Sequence, residues 1–229
     1  MIEKEKVDSI VQYYRSELIN STRWELANNT LYELCDKYPD HTDADEIVAK
    51  LWLIGRSYAA AIERRKNAIE NGGDFYYETV APAIISKGAA LDSKIRMLKS
   101  SERLEDLFDT HAFLIEIFRT VTDMDKRSLA SKYLHFHCPN AAYIYDSIAS
   151  TALRKLVKKP YKIELNNFDN YDYEYVDFCI RASELRQYIA DEYGLHLTIR
   201  ELDTLLLHAK KPYWREKDEK YPKRKKMFS

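Results

Sequence analysis

Glycine and proline are too scarce in this chain to punctuate much besides long helices. Five glycines and six prolines serve 229 residues, so the tight turns of a many-stranded protein have few residues to make them. Apolar side chains recur instead at the three-and-four spacing of a helix face. Val7, Ile10, Val11, Tyr14 and Leu18 mark a first helix over 7–20. Trp24, Ala27, Leu31, Leu34 and Cys35 mark a second over 23–37, which Pro39 stops.

The third helix is expected to be the longest, over 43–70. Thr42 or Asp43 can cap it, acidic residues fill its first turn, and Gly72-Gly73 close it. Ile47, Leu51, Ile54, Tyr58 and Ile62 form one stripe, with Val48, Trp52, Gly55 and Ala59 as a second beside it. Two adjoining stripes predict burial on much of the circumference and a central place in the bundle. Gly55 with Ala59, Ala60 and Ala61 would let neighbouring backbones come close, while Arg56, Arg64 and Arg65 lie off the main stripe. Further helices are expected over 76–99, with Pro82 in the first turn, and over 102–120, with His111 as a core histidine. Others follow over 127–137, 147–157 and 174–193, the last ending at Gly194. A final one starts at Thr198, where Thr198 and Glu201 have capping-box spacing. Residues 160–173 lack a helical period and suit a surface loop. The expected fold class is all-α: a single globular multi-helix domain over 1–229, built around the long helix, with little or no sheet and a basic tail at 210–229.

Three cysteines, Cys35, Cys138 and Cys179, stand far apart with no CxxC, which suits reduced thiols and a cytoplasmic location. The charged N-terminus has no apolar run behind it, and no stretch approaches 18 apolar residues, so neither secretion nor a membrane partner is expected. The 18 tyrosines suit half-buried surfaces. A net charge of −1 carries no nucleic-acid signal by itself, but the charge is uneven. Residues 119–162 hold nine Lys/Arg against three Asp, and 210–226 nine against three acids, while 164–192 hold eight acids against two Arg. Phosphates would be drawn to the two basic segments. Such runs also serve as plain solvated faces, and the acidic segment could shield the basic one.

Within the basic segment lies Ser131-Lys132-Tyr133-Leu134-His135-Phe136-His137-Cys138-Pro139, then Tyr143-Ile144-Tyr145-Asp146-Ser147. Helical spacing buries Leu129, Ala130, Tyr133 and His137, sets Lys132 at the border of that face beside Phe136, and turns Ser131 and His135 away. A lysine becomes a nucleophile when desolvation or nearby positive charge depresses its pKa. Lys126, Arg127 and the apolar face could do both for Lys132. Asp146 stands at a helix start, where backbone N–H groups favour an ionised carboxylate. It can cap the helix and still stabilise positive charge developing on a sugar. His135, His137 and Cys138 do not suggest a metal site, because i and i+2 point to different sides of a helix. P-loop, GxGxxG, GxSxG and HExxH motifs are absent.

The 131–147 stretch resembles bacterial proteins similar to 8-oxoguanine DNA glycosylases and, more distantly, the helix-hairpin-helix glycosylase superfamily. In that superfamily a lysine attacks the sugar C1′ to form a Schiff base and an aspartate at the next helix start assists. The resemblance implies Lys132 as nucleophile and Asp146 as the assisting carboxylate, with DNA as partner and no cofactor or metal. It implies a flipped base lined or wedged by Tyr133, Phe136 or Tyr145. Lys126, Arg127, Ser131, Lys155, Lys158 and Lys159 are the candidate phosphate contacts. The chain departs from the superfamily in having no glycine over Thr122 to Ser128 and a Lys-to-Asp spacing of 14. Two readings without catalysis stand beside this one. One is a helical binding module for nucleic acid or protein. The other is a scaffold in which Tyr133 packs on Tyr145 and Lys132 merely pairs with Asp146.

Overall fold

The computed structural model describes residues 1–21, 24–63, 73–158 and 170–209. Lys159, Arg64, Arg65, most of the 160–173 stretch and the basic tail lie outside the described residues. Those described form an all-α fold with no strands, apart from one isolated bridge between Ile2 and Val157. Helix α1 (Lys4–Tyr13) continues into a π-helical turn, Tyr14–Leu18. Then come α2 (Glu25–Lys37), α3 (Ala44–Ser57), a π-helical turn Tyr76–Val80 running into α4 (Ala81–Ile85), α5 (Gly88–Ser101) and α6 (Leu104–Thr122). After them follow α7 (Arg127–His137), α8 (Ser147–Leu156), α9 (Tyr173–Tyr193) and α10 (Ile199–His208). One continuous apolar core runs through all of these except short α4's exposed side. No helix among the described residues is long and apolar enough to cross a membrane.

Several starts and stops fall where the sequence puts them. Asp43, Asp146 and Asp172 cap α3, α8 and α9 by accepting backbone N–H bonds. Thr198 and Glu201 form the full capping box of α10, and Gly194 closes α9 at φ +62°. Pro82 lies in the first turn of α4, where its missing N–H costs nothing.

The helix expected over 43–70 ends instead at Ser57. Ala59 takes φ +51° and the chain doubles back, so that a side chain on Gly55 would meet Ala61 Cα at 3.3 Å. The close approach foreseen at Gly55 is therefore made by the helix's own continuation. Of the second stripe, Trp52 is exposed, whereas Lys50 is fully buried with Nζ donating to the carbonyls of Tyr38 (2.7 Å) and Asp40 (3.1 Å). The helix expected over 76–99 also breaks, at Ser86–Lys87. Gly88 restarts it against the backbone of His41, whose carbonyl oxygen lies 2.4 Å from where a Cβ would stand.

The most enclosed helix is α7. Every residue from Leu129 to His137 is buried, between α2, α3 and α6. Ser131 and His135 therefore point inward, contrary to the amphipathic expectation. Hydrogen bonds make this tolerable. His135 donates from Nδ1 to the Ala142 carbonyl (2.8 Å) and accepts at Nε2 from the Tyr32 hydroxyl (2.6 Å). His111 is the core histidine expected, stacked on Tyr175 at 3.7 Å.

Candidate active site around Lys132

Lys132 lies one turn after Ser128 on α7, aimed at the point where α3 ends and α8 begins. Its Nζ donates to Ser128 Oγ (2.8 Å) and to the Tyr58 carbonyl (3.2 Å), the latter exposed by the stop of α3. Asp146 Oδ2 stands 3.9 Å away. The other oxygen of Asp146 accepts from Ile148 N at 2.7 Å, so one carboxylate both caps α8 and faces the lysine. The two serines of α7 explain why Asp146 arrives there. Ser131 Oγ accepts from Tyr145 N (3.0 Å) and Ser128 Oγ donates to the Tyr145 carbonyl (3.3 Å). Together they hold the connecting segment along α7.

Burial pushes the Lys132 pKa below the ordinary lysine value. Asp146 and Asp203 pull it back up, and Arg200 adds to the lowering. The cation that acts on it is thus Arg200, rather than the Lys126 and Arg127 expected from the sequence. Arg200 and Asp203 come from α10 and pair at 3.0 Å. Asp203 is buried and its acid is pushed up to about 6 by burial, against the pull of Arg200 and Lys132. The Tyr58 ring joins the groups, with its centroid 5.9 Å from Lys132 Nζ and 5.3 Å from the Arg200 guanidinium carbon. Its hydroxyl donates to Asn28 Oδ1 at 2.5 Å.

The remaining candidate residues scatter. Tyr133 faces the opposite side of α7, where its hydroxyl meets His41 Nε2 at 2.8 Å. Tyr145 lies under the Arg127 guanidinium and edge-on to Phe178. Phe136 packs against Tyr58 and Tyr32. It lines a groove of about 690 Å³ with Tyr32, His135 and Arg200. A second groove, of about 760 Å³, shares Tyr32 and Arg200 with the first. Of the candidate phosphate contacts, Ser131 is fully buried, and Lys126 is buried with Nζ 3.4 Å from the Ala61 carbonyl. Arg127 pairs with Asp172 (2.6 Å) and Glu174 (2.5 Å), and Lys158 with Glu3 (2.9 Å). Lys155 lies in the last turn of α8. The acidic start of α9 thus does cover part of the basic segment. His135 and His137 occupy different sides of α7, against Tyr32 and His41 respectively. Among the described residues no group of three or more His, Cys, Asp or Glu could hold a metal.

Arg200, Asp203 and Tyr58 went unrecognised as site residues. A signal for Asp203 was present: it falls four residues after Ile199 and three before Leu206, a carboxylate within the apolar stripe of α10. Comparison of the chain with protein-family models, with curated proteins and with solved structures finds no match.

Proposed function

We propose that this chain is a DNA glycosylase with lyase activity, excising a damaged or modified base with Lys132 as nucleophile and Asp146 as assisting carboxylate. The observation that carries this reading is the setting of the Lys132 amine. It is 3 % exposed, and its hydrogen bonds go to two uncharged oxygens, while its nearest carboxylate stands off at 3.9 Å. Neutral acceptors hold the ammonium less strongly than a carboxylate would, and burial shifts the lysine toward the uncharged, reactive form. In the reaction the Nζ lone pair bonds to C1′ and the glycosidic bond breaks with its electron pair on the base. Asp146 then faces the positive charge that grows on the sugar. Lys132 itself supplies the covalent chemistry, and no cofactor enters.

A second reading is a non-catalytic helical module for nucleic acid or protein, in which Lys132 is structural. The bond from Nζ to the Tyr58 carbonyl also caps the end of α3, so Lys132 fastens three helices together. Borohydride trapping separates the two. The panel is duplex and single-stranded oligonucleotides carrying 8-oxoguanine, uracil, modified cytosines or abasic sites. A covalent adduct that disappears in Lys132→Ala and Lys132→Gln supports the glycosylase. No adduct and no base release from folded protein supports the module. Charge reversal at Lys158 and Lys159 then tests whether any nucleic-acid binding weakens and loses its salt dependence.

A further inference from the structure

The groove of about 760 Å³ lies between the π-helical turn after α1, the start of α2 and one face of α10 from Arg200 to His208. Large apolar side chains stand in solvent along it. Trp24 is 73 % exposed, and Ile19 and Leu207 are exposed as well. Trp24 is held there against its preference. Its backbone takes φ +66° before α2, without a side-chain cap, a left-handed conformation that bulky residues resist. Two carboxylates, Glu17 and Glu25, line the same groove, and no described cation pairs with either. The guanidinium of Arg200 is already matched with Asp203 at 3.0 Å, and His208 donates from Nδ1 to the Thr204 carbonyl at 2.8 Å. An exposed indole beside unanswered negative charge suits a ligand that is both cationic and aromatic, and it repels a phosphate backbone.

The chain carries a segment of that chemistry directly after α10. Residues 210–226 hold nine Lys/Arg against three acids, and Tyr213 and Trp214 stand near their start. We propose that this groove is the docking site of the chain's own basic tail, whose lysines and arginine over 210–217 answer Glu17 and Glu25 while its aromatic pair covers Trp24. The inference stands apart from the glycosylase reading, since it asks nothing of Lys132.

Reach permits the docking. The helix rises about 12 Å between Arg200 and His208. Six extended residues, 210–215, can span about 20 Å, enough to follow the groove back along α10. The tail is also tethered at the groove's end, because His208 lines it and the tail starts at Lys210. Tethering sets an effective concentration on the order of millimolar, so individually weak surface pairs suffice. A docked tail has its lysines facing carboxylates and withheld from phosphates, and a released one offers them. The groove thus governs whatever nucleic-acid affinity the tail supplies.

The experiment is carbodiimide cross-linking of the full chain, which joins a carboxylate to an adjacent amine, with mass spectrometry of the monomer and dimer bands. Amide links from Glu17 or Glu25 to Lys210, Lys211 or Lys217 should dominate the tail's links in the monomer and weaken at high salt. Trp24→Gly should lower their yield several-fold. Glycine accepts φ +66° freely, so the fold should stand, and circular dichroism checks it. A second measurement uses Glu17→Gln/Glu25→Gln, both exposed positions. Trypsin should cut after Arg215 several-fold faster in that variant than in wild type. Links confined to the dimer band make a second copy's tail the occupant and overturn docking within one chain. Absence of links to the groove, or links spread evenly over acids outside it such as Glu116 and Asp125, overturns the proposal. So does an unchanged yield in folded Trp24→Gly or an unchanged cleavage rate in Glu17→Gln/Glu25→Gln.

Discussion

The hydroxyl of Tyr133 lies 2.8 Å from Nε2 of His41, and Nδ1 of the same ring lies 2.5 Å from Asp92 Oδ1. All three groups are buried. The chain Asp92–His41–Tyr133 joins α5, the segment before α3, and α7 on the side of α7 away from Lys132. Its hydrogen bonds therefore serve stability.

Tyr133→Phe should show this. It strands His41 Nε2 without a partner and should cost about 1–3 kcal/mol. Urea unfolding should reveal the loss, while adduct formation through Lys132 continues in the folded fraction. A loss of adduct without loss of stability would bring Tyr133 back as a base-pocket residue.

Gly88→Ala should damage the same junction from the other side. Its methyl would meet the His41 carbonyl oxygen at 2.4 Å, a backbone atom with little freedom to move. A cost of about 1–3 kcal/mol is expected from such overpacking. Thermal unfolding measures it, and a melting temperature equal to wild type would mean that α5 can slide away from His41.

Lys132→Met and Asp146→Ala should separate chemistry from structure. Methionine fills the space of the lysine stem but leaves the Tyr58 carbonyl without its donor, so a cost of about 1–3 kcal/mol is expected. All trapping should vanish. Asp146→Ala removes the cap of α8 and should cost about 1 kcal/mol. Paired denaturation and trapping assays decide. A strongly destabilised Lys132→Met would favour the scaffold role for Lys132.

Acid should weaken the fold. Burial lowers His41, His111 and His135 each to about 4 from an ordinary value of 6.5. Between those limits the unfolded chain binds more protons than the folded one, so stability declines as pH falls from about 6.5 toward about 4. Asp203 acts the other way, because its raised value lets the folded state bind the extra proton between 3.8 and about 6. These three histidines and His137, which burial shifts the same way, oppose one aspartate, so the net direction is loss. Urea midpoints at pH 7 and pH 5 test it, and Asp203→Asn should make the decline steeper.

Much of the fold was legible because the features that specify it are local. Asp146 and Thr198 cap helices through bonds made within three residues, and the apolar stripes of α6 and α10 show in the spacing alone. The stop at Ser57 was not legible. Ala59, Ala60 and Ala61 are good helix formers, and the carbonyls that the turn exposes are taken by Lys132 and Lys126, far along the chain. The inward turn of Ser131 and His135 was hidden for a similar reason. Polar side chains look outward until their partners, Tyr145 and Tyr32, are known. At the site itself, Lys132 and Asp146 are close in sequence and could be paired by eye. Tyr58 and Arg200 reach the lysine only through tertiary packing.

The reversal at Ala59 also bears on how a mutational survey of this protein would look. Ala59 is exposed and carries a single methyl group. Its left-handed backbone nonetheless sets the direction of the Tyr58 carbonyl that holds the amine. A β-branched residue there resists that conformation, whereas glycine accepts it freely. Function would therefore tolerate the smallest residue at this surface position and reject valine, a pattern that could pass for a substrate contact while its cause is the backbone.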